Sequence, residues 1–320
     1  MLSLGMMTVA QLAAAADRAV SDALDGTVTG WKATAPLNEP DAVAAMVSAG
    51  LPAAAVAWRA LLKPLGYQVA MIGIFTHQTP KVSYVGGATS CELADLLVVI
   101  DEISGGATDR RALLIQAKIA HHPTLTLHKP NDLVQFGLLD TWPDFQFIHQ
   151  PYPTNMRQIG APGAPGLVGD SADYGLIDLL PSGVAWRQVD PANPMTPAAG
   201  VSFGELLADM AVGAAGRAAI RGGSDDWSDT VEELLRTTYF ALAGGGFGGH
   251  PRGVTTFSRL SVNDDFAANG FQPAGVVHIF GGPPSAGEGG GEDAPRDPGP
   301  ISVVHVRLTR AEESAPSGRG

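Results

Sequence analysis

Cysteine is almost missing from this chain of 320 residues, where Cys91 stands alone. One thiol excludes an internal disulfide and leaves a cysteine-built zinc site without its ligands. Cys91 comes just before an apolar stretch and reads as a packing residue rather than a nucleophile. Long apolar runs are missing too. No stretch approaches the ~20 consecutive apolar residues that cross a bilayer. The N-terminus, MLSLGMMTVAQLAAAADRAV, is rich in alanine but has no basic segment, so it reads poorly as a secretory signal. These absences predict a cytoplasmic protein with no membrane partner. Positive charge is scarce as well. Lys and Arg total 20 against 32 Asp and Glu, for a net charge of −12, and acids outnumber bases in both halves of the chain. That balance argues against generic affinity for nucleic acid, which needs a basic surface to neutralise phosphates. No HExxH, CxxC or readable Ser-His-Asp arrangement occurs. The run Gly244-Gly245-Gly246-Phe247-Gly248-Gly249 lacks the Lys-Ser/Thr of a phosphate loop and reads as a flexible loop.

A hydrophobic content of 45% with 16% charged residues suits a folded soluble protein. Residues 1–38 read as one alanine-rich helix and a turn around 26–30. Asp41 to Lys63 reads as helix, with Gly50-Leu51-Pro52 breaking it into two pieces. Tyr67 to Phe75 (YQVAMIGIF) reads as a strand. So do Leu96-Leu97-Val98-Val99-Ile100 and Ala112-Leu113-Leu114-Ile115, joined through Ser104-Gly105-Gly106 as a hairpin loop. A helix follows from about Asn131 to Thr141, then a short strand at Phe145 to Ile148. Residues 151–200 are irregular and rich in Pro and Gly. That is too long for an idle connection, so they are expected to pack on the core or cap a site. Two helices are predicted at Phe203–Val212 and Thr230–Leu242, the second capped near Asp226. Residues 283–299 are acidic, rich in Gly and Pro and nearly free of bulky apolar side chains, so disorder is expected. Ile301 to Leu308 reads as a strand returning to the fold, and 311–320 as a tail.

Asp95 opens the first hairpin strand, and Gln116-Ala117-Lys118 closes the second. Side chains alternate along a strand, so Gln116 and Lys118 share a face. Pairing of the strands brings Asp95 beside them. Carboxylate and amide oxygens are hard ligands suited to Mg²⁺. A lysine beside such an ion can orient a water or offset charge building on a phosphate.

This arrangement resembles the PD-(D/E)XK nuclease superfamily, in its variant where Gln replaces the acid of the (D/E)XK element. The matching residues are Asp95, Gln116 and Lys118, with Ala94 where the motif's proline would stand. The element order α-β-β-β-α-β over roughly residues 39–150 also resembles that superfamily's core. The resemblance implies an α/β fold: a restriction-endonuclease-like αβββαβ core with a mixed central sheet. Further helices and strands come from the C-terminal half: residues 151–282 would pack on this core, and 300–310 would form a strand. It implies Mg²⁺-dependent hydrolysis of DNA phosphodiester bonds, with Mn²⁺ as a substitute ion and genome defence as the setting. Asp95, Gln116 and the Ala117 carbonyl would hold the metal, and Lys118 would position the attacking water. Glu39 on the first core helix would complete the metal site; a helix-start charge favoured by the dipole is the plainer reading of the same residue. Glu92, three residues before Asp95, is a rival for that role.

Gln135 falls on the next helix, where some branches of the superfamily carry a glutamine near the catalytic lysine. Here Leu139 stands four residues on, where those branches have tyrosine. His77, His121 and His122 are candidates for touching phosphate. Asp101 and Glu102, at the strand's far end, read as solvated. Lys81, Arg110, Arg111, Lys118 and Lys129 could form a local basic patch, or be ordinary solvated charges. An acidic nuclease would otherwise rely on metal ions, a homo-oligomer or a protein partner to bring DNA to the site. The alternative from another class is a nuclease-fold binding or scaffold protein without turnover, which the charge and Gln116 favour.

Overall fold

Helices lie on both faces of a nine-stranded mixed sheet in the computed structural model. It describes residues 2–25, 39–76, 79–87, 89–120, 127, 129–160, 166–178, 185–190, 200–242, 255–260, 275–280 and 299–310. His77, His121, His122, the 244–249 glycines, all but the last residue of the 283–299 segment and the 311–320 tail lie outside these residues. The chain begins with α1 (Met6–Leu24), then α2 (Glu39–Ala45) and α3 (Leu51–Leu62). The expected break at Gly50-Leu51-Pro52 is a single π-helical turn, Met46–Gly50, that joins α2 to α3 without stopping the helix. Pro52 sits in the first turn of α3, where its missing N–H leaves little unsatisfied.

The strands of the main sheet are β1 (Tyr67–Thr76), β4 (Leu96–Ser104), β5 (Ala107–Ala120), β7 (Ala172–Asp178), β8 (Trp186–Val189), β9 (Arg217–Ala218), β10 (Thr255–Leu260), β11 (Gly275–Phe280) and β12 (Ser302–Arg310). Their order is β10-β11-β1-β12-β4-β5-β7-β8, with β9 also on β5. β4 and β5 form the expected antiparallel hairpin, running from Leu96↔Ile115 to Ser104↔Ala107. Gly105 and Gly106 turn it at φ 56° and 80°, the left-handed pair that a two-residue hairpin turn requires. β5 is followed by α4 (Pro130–Thr141) and then by β7, parallel to β5.

Both faces of β4 are buried, which is why it reads as a continuous apolar run. Leu96, Val98 and Ile100 face one core with α1, α3 and α5 (Phe203–Val212). Leu97 and Val99 face a second core holding residues of α4 and of α6 (Asp226–Leu242). The helical stretch Glu39–Leu65 is long and apolar enough to cross a membrane by length and composition alone. Here its apolar side serves the first core through Ala42, Val47, Leu51, Trp58 and Leu62. Gly73 of β1 allows the close approach, since a Cβ there would lie 2.7 Å from the Val47 carbonyl oxygen.

Two expectations are corrected. Phe145 to Ile148 does not complete the main sheet. Its strand, β6 (Phe145–Phe147), joins a separate small sheet with β2 (Lys81–Tyr84) and β3 (Cys91–Glu92), in the order β3-β2-β6. Phe145 and Phe147 bury in the second core, while β7, 25 or more residues later, takes the place beside β5. The 151–200 segment is therefore not simply irregular, because it contains β7 and β8. The expected C-terminal strand is present as β12, and it returns into the sheet itself, antiparallel to β1 and parallel to β4. Val303, Val304, Val306 and Leu308 are fully buried there.

Candidate active site

The start of β4 meets the end of β5, and α4 crosses over them. Asp95 precedes β4, and its N–H donates to the Ile115 carbonyl at 3.0 Å. Its carboxylate is buried and accepts two bonds on Oδ2, from Gln116 Nε2 at 2.5 Å and from the Ala117 N–H at 2.8 Å. Asp95 and Gln116 thus lie on one face and touch. Lys118, two residues on, bonds through Nζ to Asp132 Oδ1 at 2.9 Å and lies 3.9 Å from Glu39 Oε2. The four residues predicted from the sequence, Asp95, Gln116, Lys118 and Glu39, are brought together.

Two α4 residues hold this arrangement. Asp132 takes Lys118. Gln135, one helical turn later and buried, donates Nε2 to the Glu92 carbonyl at 3.0 Å and to Gln116 Oε1. Gln116 is therefore oriented with its oxygen toward Gln135 and its nitrogen toward Asp95, so nitrogen rather than oxygen faces the carboxylate. Glu92 pairs with Lys81 across the small sheet and contributes its carbonyl to Gln135. Asp132 was missed from the sequence; an acid in the first turn of the helix that follows Lys118 is the signal that could have found it.

The charges explain why Lys118 remains an ammonium. Burial works to lower its affinity for a proton, but Glu39, Asp132 and Asp95 outweigh burial and raise it. Lys118 is thus a standing cation, suited to meeting negative charge rather than removing protons. Cys91 is buried, and burial followed by Glu92 pushes its thiol up to about 12, which fits a packing residue.

Tyr174 of β7 also belongs to this end of the fold and was not seen in the sequence. It is the register partner of Gln116, fully buried, and its hydroxyl has no hydrogen-bond partner among the described residues. Burial, and after it Asp132, Cys91, Asp140 and Asp95, raises its pKa, so the hydroxyl stays protonated. Leaving such a group unsatisfied costs on the order of 1–3 kcal/mol.

Asp101 and Glu102 correct the expectation of solvated strand-end acids, since both are buried. Asp101 lies opposite Arg110 in the hairpin register and accepts from its Nε at 2.6 Å and its Nη2 at 2.9 Å. Arg110 also donates to Glu232 of α6. His305 Nε2 of β12 lies 3.1 Å from the same carboxylate, and Tyr239 OH lies 2.5 Å from His305 Nδ1. Burial would push Asp101 up, but Arg110 and His305 hold it well below the usual carboxylate range. This network fastens α6 to the sheet. It also removes Arg110 from any basic patch with Lys118: the two stand eight positions apart on β5, roughly 26 Å at ~3.3 Å per residue.

Among the described residues, no three His, Cys, Asp or Glu side chains form a metal-binding group. The donor chemistry near Asp95 nevertheless suits a hard divalent cation. Asp95 Oδ2 and, at 3.5 Å, the Ala117 carbonyl oxygen both face one point, the Gln116 amide nitrogen. One carboxylate with neutral oxygens is the sparse set that Mg²⁺ accepts when water and substrate supply the rest. No family model, curated protein or solved structure matches this chain.

Proposed function

We propose that this chain is a metal-dependent nuclease of the restriction-endonuclease-like type that hydrolyses DNA phosphodiester bonds in the cytoplasm, with genome defence as its setting. The observation that carries the reading is the meeting of Asp95, Gln116 and Lys118 at one end of the β4–β5 hairpin, with Glu39 3.9 Å from the lysine. Asp95 and the Ala117 carbonyl would hold Mg²⁺, or Mn²⁺ in its place, and Gln116 would join them only with its amide turned over, so that its oxygen rather than its nitrogen faces Asp95. The ion would supply charge to a phosphoryl oxygen and acidity to a bound water. Lys118 offsets the negative charge that builds on the phosphoryl group. Glu39 and Asp132 keep Lys118 charged and aimed. In the reaction a water oxygen bonds to phosphorus, the bond to one sugar oxygen breaks, and a phosphate monoester and a free hydroxyl leave.

A second reading is a binding or scaffold protein on the same fold, without turnover. The amide nitrogen turned toward Asp95 favours it, because that orientation satisfies the carboxylate without a cation. Cleavage of plasmid and linear DNA with Mg²⁺, Mn²⁺ or EDTA separates the two. Ion-dependent cleavage that Asp95→Ala abolishes supports the nuclease. No cleavage of any DNA or RNA substrate by the parent protein refutes it and leaves the binding reading.

A further inference from the structure

Tyr174 keeps a fully buried hydroxyl that has no partner among the described residues, at the end of the sheet where the site lies. The Tyr174 ring belongs to the second core, as do Leu138, Leu139 and Trp142 of the α4 region. Phenylalanine would fill the same volume and leave no oxygen unsatisfied. The hydroxyl is not an acid waiting to ionise, because burial and the surrounding carboxylates keep its proton in place. What it lacks is an acceptor. Two of the carboxylates whose charges it feels already have donors: Asp95 takes Gln116 and the Ala117 N–H, and Asp132 takes Lys118. Tyr174 also sits directly across the β5–β7 ladder from Gln116, so its side chain rises from the sheet on the same face as Gln116 and Lys118.

We propose that Tyr174 is a further binding residue of this site, its hydroxyl donating to an oxygen of the scissile phosphoryl group that Lys118 also meets. The inference rests on the nuclease reading and adds to it a neutral donor beside the cation. The pairing has a chemical logic. The surrounding acids, Glu39, Asp95 and Asp132, would repel a phosphate, and Lys118 is shared among them. A neutral donor gives the phosphoryl oxygen a second hydrogen bond without another charge to desolvate. The dry, low-dielectric setting strengthens that bond.

The test is Tyr174→Phe in the full chain, which removes one oxygen and keeps the ring. The expected result is a 10- to 100-fold lower kcat/KM for DNA cleavage with Mg²⁺. A DNA duplex held in Ca²⁺, where binding is read without turnover, should bind at least several-fold more weakly. The melting temperature should stay level or rise, because an unsatisfied group has been removed. Combined with Lys118→Ala, the two losses should be less than multiplicative, since both donors serve one phosphoryl group. Cleavage and duplex binding by Tyr174→Phe at the parent's values overturn the inference while leaving the nuclease reading intact. A lower melting temperature with unchanged cleavage also overturns it, as the sign of an enclosed water with a structural task. A parent protein that neither cleaves nor binds DNA overturns both readings together.

Discussion

Gln116→Glu would put a second carboxylate where the amide nitrogen now lies 2.5 Å from Asp95 Oδ2. Two full charges about 3 Å apart at an effective dielectric near 20 repel by roughly 5–6 kcal/mol. The site can shed part of this by holding a proton. Keeping a glutamate protonated at pH 7 costs about 1.4 kcal/mol for each unit above its ordinary value near 4.3, or about 4 kcal/mol in all. The cheaper route sets the ceiling, and small shifts of the side chains reduce it, so urea unfolding in EDTA at pH 7 should show a loss of about 2–4 kcal/mol. The sign with pH follows. The pair's folded pKa is raised above the unfolded value, so the lost stability returns as pH falls toward ~4 and is fully lost above the raised value. A divalent cation offers another escape. Mg²⁺ at 100 times its dissociation constant would restore about 2.7 kcal/mol, and the variant should cleave DNA at least as fast as the parent. A variant that matches the parent's stability in EDTA at pH 7 and 5, and ignores Mg²⁺, would show that position 116 and Asp95 do not share one site.

Three further outcomes are expected. Lys118→Ala should abolish Mg²⁺-dependent cleavage while circular dichroism stays that of the parent; cleavage at the parent's rate would remove Lys118 from the mechanism. Asp101→Ala should cost about 3–5 kcal/mol in urea unfolding, because it strips a buried guanidinium of its bidentate partner, whereas Glu232→Ala, at a partly exposed position, should cost about 1 kcal/mol or less. Asp173 is pushed up to about 7 from 3.8 by burial and then by Asp190 and Asp170. Its protonated form is the one the fold favours, so stability falls as pH rises through about 7. Asp173→Asn should therefore be more stable than the parent at pH 8, and the gap should close by about pH 4 in parallel melting curves.

How far the sequence carried these conclusions depends on how local each signal is. The β4–β5 hairpin was legible because its apolar strands and Gly105-Gly106 turn lie next to one another in the chain. The α5 boundary was legible too, and the Ser202–Glu205 capping box shows why. β7 was hidden: ADYGLID carries Asp173 and Gly175, and the stretches before it are rich in Pro and Gly. The central place of β12 was hidden for another reason. Its neighbours β1 and β4 lie some 200 residues earlier, and no local pattern states which strands it will separate.

The site was legible through one rule, that side chains alternate along a strand and strand pairing sets opposite residues side by side, which placed Asp95 with Gln116 and Lys118. The same rule applied to Asp101 would have located its network as well, since hairpin register alone sets it opposite Arg110. The rule finds polar clusters without telling what they are for. The two ends of this sheet face differ in what their polar groups meet. At the Asp101 end Arg110 meets two carboxylates, and His305 bridges Asp101 to Tyr239. At the Asp95 end the amides and acids are matched, but the Tyr174 hydroxyl is left over. Such a network is sufficient to hold a helix on a sheet. An unmatched donor held protonated among carboxylates is what a site shaped around an incoming oxygen would keep, and it is the reason to look for the ligand at this end.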